Sequence, residues 1–71
     1  MEIKLGRYQH FKGKFYEVIG TAKHSETMEE LVVYRALYGE RELWVRSKNM
    51  FLESVTLEGK KVPRFKYVGS A

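Results

Sequence analysis

The sequence predicts a mostly β domain, a small SH3-like barrel of five strands with a short 3₁₀ turn before the last one. Three observations predict it. Apolar and polar residues alternate over short runs, as half-buried strands require. Glycines fall singly, at Gly6, Gly13, Gly20, Gly39, Gly59 and Gly69, where turns or bends are needed. No stretch carries a helical period, an internal repeat or a linker composition.

Gly6 to Phe11 reads as the first strand, ended by a Lys12-Gly13 turn. Lys14 to His24 reads as the second. Tyr16, Val18, Gly20 and Ala22 form one row there, and Phe15, Glu17, Ile19, Thr21 and Lys23 the other. A glycine inside a strand marks a kink or bulge, so Gly20 is where the sheet should bend. Ser25 to Glu30 reads as a loop with capping-box spacing between Thr27 and Glu30.

The stretch Leu31 to Arg46 reads as a hairpin, a Val- and Tyr-rich run, a polar turn at Gly39, and a second run containing Leu43 and Val45. With Gly39 and Glu42 paired around a tight turn, Leu37 lies opposite Trp44, Ala36 opposite Val45 and Arg35 opposite Arg46. One face then holds Val32, Tyr34, Ala36, Tyr38, Leu43 and Val45. The other holds Leu31, Val33, Arg35, Leu37, Trp44 and Arg46. An unpaired arginine is costly in a core, so the first face is expected inside. A one-residue bulge at the turn would exchange the partners.

Ser47 to Glu53 is expected to be a 3₁₀ turn carrying Met50 and Phe51 into the core. Glu58 to Lys61 reads as a turn. Val62 to Val68 reads as the last strand, with Pro63 tolerated at its start or on an edge.

The chain has 71 residues, enough for a single domain over residues 1–71 with a core at about 6–68. A domain of this size buries only about 60% of its unfolded surface. The absence of cysteine excludes a disulfide framework and thiolate metal sites, and suits a reducing compartment. The N-terminal residues carry no apolar leader, and no run is long enough to span a membrane. A cytoplasmic location is the expectation. The net charge is +4 with a pI near 9.5. The excess gathers at Lys60, Lys61, Arg64 and Lys66 and around Arg7, Lys12 and Lys14, compatible with a polyanionic partner or with an ordinary solvated surface.

His24-Ser25-Glu26 invites a catalytic reading, with His24 as base, Glu26 orienting it and Ser25 as nucleophile. Neighbouring residues of an extended chain point opposite ways, so a strand end with a loop cap through Ser25 or Thr27 explains these residues more simply. A metal would need His10, His24 and a carboxylate such as Glu17 or Glu26, a set with no close-spaced pair. No metal and no cofactor is expected. No glycine-rich phosphate loop and no carboxylate pair in an apolar frame occurs.

Trp44, Arg35 and Arg46 form the better candidate. Two arginines side by side repel unless an anion intervenes. An indole beside guanidinium groups is suited to an anion-bearing or aromatic partner, and His24 and Glu26 would sit on the rim. The plain alternative is an internal salt-bridge lid over a half-buried tryptophan. The run Arg64-Phe65-Lys66-Tyr67 interleaves basic and aromatic residues, as nucleic-acid-binding strands do. A charge-guarded edge strand has the same pattern.

The series Gly6 to Gly13, His24-Ser25-Glu26-Thr27, Val32-Val33-Tyr34, Leu37-Tyr38-Gly39, Leu43-Trp44-Val45-Arg46, Met50-Phe51 and Pro63-Arg64-Phe65 resembles a small bacterial family, domain of unknown function 1653. The likeness runs from about Gly6 to Phe65. In that family a proline usually follows the position of Arg46; here Ser47 stands there, leaving the entry to the next turn less rigid. The resemblance implies a compact, stand-alone, mostly β bacterial domain, and carries over no activity, ligand or catalytic residue.

The leading expectation is therefore a non-enzymatic binding module for an acidic or anion-bearing partner at Trp44, Arg35 and Arg46. The alternative is sequence-tolerant binding of single-stranded nucleic acid through Lys60, Lys61, Arg64 and Lys66. An enzyme using His24 and Glu26 comes last. A monomer or a weak homodimer is expected, since an unpaired last strand could pair with a second copy although its charges oppose this.

Overall fold

A computed structural model describes residues 3–70 of the chain. Residues 1–2 and Ala71, counted within the expected domain, lie outside them. The described residues form β1 Gly6–His10, β2 Phe15–Lys23, β3 Glu30–Ala36, β4 Leu43–Ser47, α1 Lys48–Phe51, β5 Ser54–Leu57, β6 Lys60–Pro63 and β7 Phe65–Gly69. One antiparallel sheet runs in the order β4-β3-β2-β1-β7, and β5 and β6 make a separate hairpin. The molecule is mostly β, as its alternation predicts.

The closed five-stranded barrel does not form. β4 and β7 end the sheet without pairing with each other. The last strand expected over 62–68 is divided at Arg64. Proline offers no amide to continue a ladder, and Pro63 is the last residue of β6. The Arg64 amide then turns to the Glu53 carbonyl at 3.0 Å, while its own carbonyl accepts from the Phe11 amide at 2.9 Å. β5, which the sequence does not announce, pairs with β6 across Glu58 (φ 51°) and Gly59 (φ 80°). Both turn residues have positive φ, as a type I′ hairpin requires.

The bend anticipated at Gly20 is present. Val18 pairs with Tyr34 and Gly20 with Val33, leaving Ile19 as the extra residue of a bulge. The core lies on one face of the sheet, where Val18, Val32 and Phe51 are almost fully buried beside Tyr8, Tyr34 and Phe65. Phe51 stacks on Phe65 with ring centroids 4.2 Å apart, and Tyr8 meets Phe51 edge-on at 5.4 Å. Aromatic volume gives this short chain its interior.

α1 is a single α turn rather than the expected 3₁₀ turn. Its cap is the Ser47 hydroxyl, which accepts from the Met50 amide at 3.2 Å. Phe51 points into the core as expected, but Met50 stays half exposed. A helix of one turn has one inward position, and Phe51 takes it.

Candidate functional site

The β3–β4 register decides which side chains can act together. Tyr34 lies opposite Trp44, Val32 opposite Arg46 and Arg35 opposite Leu43, three residues away from the expected pairing. The Ala36 amide donates to the Glu42 carbonyl at 3.0 Å, so a five-residue loop from Leu37 to Arg41 replaces the tight turn. It uses two left-handed residues, Gly39 (φ 57°) and Arg41 (φ 55°). An odd shift turns every β4 side chain to the other face. Val32, Tyr34 and Ala36 are buried as expected, but Trp44 and Arg46 join them on the inner side. Leu43 and Val45 stand outside, and Tyr38 is 39% exposed.

The expected trio is therefore split. Trp44 and Arg46 share the inner face. Arg35 is on the outer face, opposite Glu17 in the ladder with β2, and its guanidinium donates to the Arg41 carbonyl at 3.3 Å. The arginine–arginine repulsion read from the sequence does not arise.

What surrounds Arg46 is aromatic. Its Nε donates to the Tyr34 hydroxyl at 3.4 Å, and the guanidinium carbon lies 5.8 Å from the Phe65 ring centre, a cation–π distance. Among the described residues, the ion pairs are Arg64 with Glu53 at 2.9 Å and Lys48 with Glu30 at 3.7 Å. Arg46 has no carboxylate partner there.

Tyr16 packs edge-on against Tyr34 at 5.4 Å and Tyr38 at 5.5 Å. The Tyr16 and Tyr38 hydroxyls are 2.6 Å apart. Burial first, then the hydrogen bond to Tyr38, pushes the Tyr16 phenol up to about 12, against a smaller downward pull from Arg46.

His10 completes the cluster from β1. Its ring meets Phe65 at 4.9 Å and Tyr16 at 6.2 Å, and its Nδ1 accepts from the Lys12 amide at 3.2 Å. Burial, and then the charges of Arg46, Arg64 and Lys12, hold the imidazole below its ordinary value. A neutral histidine ringed by cations marks this corner as electropositive. Sequence reading named His10 only as a weak metal ligand, and missed Tyr16, Tyr34 and Tyr38 as site residues. Tyr16 and Tyr38 are 22 positions apart, and only the β2–β3 register joins them.

His24 and Glu26 lie in the exposed β2–β3 loop. His24 Nδ1 accepts from the Glu26 amide at 3.2 Å and the Thr27 amide at 3.4 Å. The Thr27 hydroxyl accepts from the Glu29 amide at 3.2 Å. These are loop-capping bonds, and Glu26 meets His24 through its backbone. Lys60 and Lys61 are exposed on β6 and Lys66 on β7. Arg64 between them is bound to Glu53, and its Nε is buried without a partner. A groove of about 420 Å³ opens beyond His10, walled by Phe11, Leu57, Val62, Pro63 and Lys66. No helix of the described residues is long and apolar enough to cross a membrane.

A family model described as "Protein of unknown function (DUF1653)" matches residues 6–67. A crystal structure of a DUF1653 protein from Bordetella bronchiseptica is similar with a TM-score of 0.90 and 35% sequence identity, covering 99% of this chain and 92% of that one. No curated protein matches the chain.

Proposed function

Because the chain belongs to the DUF1653 family, proteins of unknown function, we propose its role from its own side chains: a non-enzymatic module that binds an acidic or anion-bearing partner at Arg46 and Trp44. One observation carries this. Arg46 is half-buried among rings with no carboxylate partner among the described residues, whereas Arg64, also half-buried, has Glu53. A desolvated cation without a counter-charge is costly, and an incoming carboxylate or phosphate relieves that cost with charge-assisted hydrogen bonds. The Tyr16–Tyr38 hydroxyl pair keeps one O–H free to donate, and the half-exposed indole of Trp44 offers a flat apolar contact. We read the scaffold as an open relative of the SH3-like barrel, since β7 returns beside β1 and a short helix follows β4.

The test is an NMR titration with inorganic phosphate, then with a glutamate-rich peptide, at low ionic strength. Expected are shifts at Arg46 Nε, Tyr34 and Trp44, and a rise in the His10 pKa as the anion offsets its cationic neighbours. Arg46→Gln should remove both effects. Unchanged spectra at millimolar anion overturn the proposal.

Nucleic-acid binding through Lys60, Lys61, Arg64 and Lys66 has weaker support, because Arg64 is engaged with Glu53. It requires salt-sensitive binding of a single-stranded oligonucleotide, measurable by fluorescence anisotropy.

A further inference from the structure

β4 is an open sheet edge, and its residues are complementary to themselves. The Ala36–Glu42 hydrogen bond fixes the phase of the β3–β4 ladder. Hydrogen-bonded pairs alternate along antiparallel strands, so Trp44 and Arg46 turn their amides and carbonyls toward β3. Leu43 and Val45 turn theirs outward, where no strand of the described residues pairs with them. Leu43, Trp44 and Val45 are 55%, 50% and 59% exposed, an uninterrupted apolar run on an edge that soluble proteins usually guard.

We propose that this edge pairs antiparallel with the β4 edge of a second copy of the chain, across a two-fold axis at Trp44. Leu43 of each copy then lies opposite Val45 of the other, and each such pair exchanges both its N–H···O bonds. The two indoles face each other at the axis, as aromatic cross-strand pairs favour. Glu42 of each copy falls opposite Arg46 of the other, so charge complementarity selects this register. Shifting by two residues sets Trp44 against one of those charges instead and moves the other's partner off the strand, to Glu40 or Lys48. The contact is isologous and closed, and it joins two five-stranded sheets into one. A strand edge this short buries less than the roughly 1,600 Å² of a standard interface, so the dimer is concentration-dependent, dissociating in the micromolar to millimolar range. It rests on the backbone of the open edge and not on anion binding, although Glu42 of the second copy offers a carboxylate to the same Arg46 that the anion-binding proposal uses.

Sedimentation velocity on the full chain, over micromolar to millimolar concentrations, should show monomer converting to dimer. Amide exchange gives the sharper signature. The Leu43 and Val45 amides should become protected as concentration rises, while Trp44 and Arg46 are protected throughout. Glu42→Arg, at an exposed position, should abolish dimerisation by setting two arginines opposite each other. Val45→Pro should do the same by removing an outward N–H. Phosphate binding by the monomeric Val45→Pro variant, whose charges are unchanged, keeps the two proposals separate. A chain that stays monomeric at millimolar concentration with Leu43 and Val45 unprotected overturns the inference. So does a dimer that survives both substitutions, whether built on another face or another register.

Discussion

The two ends of the five-stranded sheet are finished in opposite ways. At β7 the pairing with β1 slips between Arg7 and Tyr8, Lys66 stands on the strand, and the β5–β6 hairpin walls the adjoining groove. An irregular ladder and a lysine are devices that discourage further pairing. At β4 the ladder runs without a slip, and three large apolar residues in succession meet solvent. Both ends rest on the same core. Phe51, just after β4, stacks on Phe65, which opens β7. The ends therefore differ in what they offer a neighbour, not in how they are anchored.

The largest effect should come from breaking that shared anchor. Phe51→Ala should cost about 3–5 kcal/mol, enough to remove most of the cooperative transition of so small a domain in chemical denaturation. A midpoint near the parent's would mean that the two ends are held separately. Next comes a paired test in the glycines. Gly6 has φ +137°, and a Cβ there would sit 2.6 Å from the Gly69 carbonyl oxygen. Gly6→Ala should cost about 3 kcal/mol and loosen β7 in amide exchange. Gly39 has φ +57° and open space around it, so Gly39→Ala in the β3–β4 loop should cost only about 1 kcal/mol and leave β7 protected.

Smaller still is Tyr38→Phe, about 1 kcal/mol for a lost hydrogen bond. The Tyr16 phenol is raised from 10.0 to about 12 in the folded chain. Its contribution to stability is therefore complete below pH 10 and lost as pH rises through about 12. Without the Tyr38 hydroxyl, ultraviolet titration should find Tyr16 ionising at lower pH. The smallest effect belongs to His10. Its folded value lies below the ordinary 6.5, so its contribution is complete above that pH and declines as pH falls below it. His10→Gln should flatten the fall in melting temperature between neutral and mildly acidic pH. An unchanged slope would move that dependence elsewhere.

Much of this fold was legible in the residues. The inward row Val32, Tyr34 and Ala36 follows from alternation, as do Tyr16 and Val18, and the bend follows from Gly20. The bulge at Ile19 exchanges the two faces beyond it, so Gly20 and Ala22 pair with the outer Val33 and Leu31 and leave the row of Val18, against the expected alternation. Phe51 in the core follows from an apolar pair, Met50 and Phe51, on a single turn, of which only Phe51 faces inward. The β4 face was not legible, because it depends on loop length. Arg41 adopts a left-handed conformation that its side chain does not advertise, and three residues of slip exchanged Leu37 for Tyr34 opposite Trp44 and left Arg35 on the other face. β5 was hidden in a similar way: Glu58, like Arg41, takes a left-handed conformation without being glycine, and Ser54 to Leu57 is too short to show a period. Trp44 and Arg46 were identified as functional candidates from residue type alone. The tyrosines and His10 that frame Arg46 come from three separate strands and the β3–β4 loop, and only the sheet assembles them.

Trp44 is the chain's single tryptophan, half exposed on the open strand beside Arg46. The fold thus carries an intrinsic optical gauge at its most consequential position. Whatever settles there, anion or sister molecule, should change the colour of the indole emission and its quenching by iodide, with no label attached.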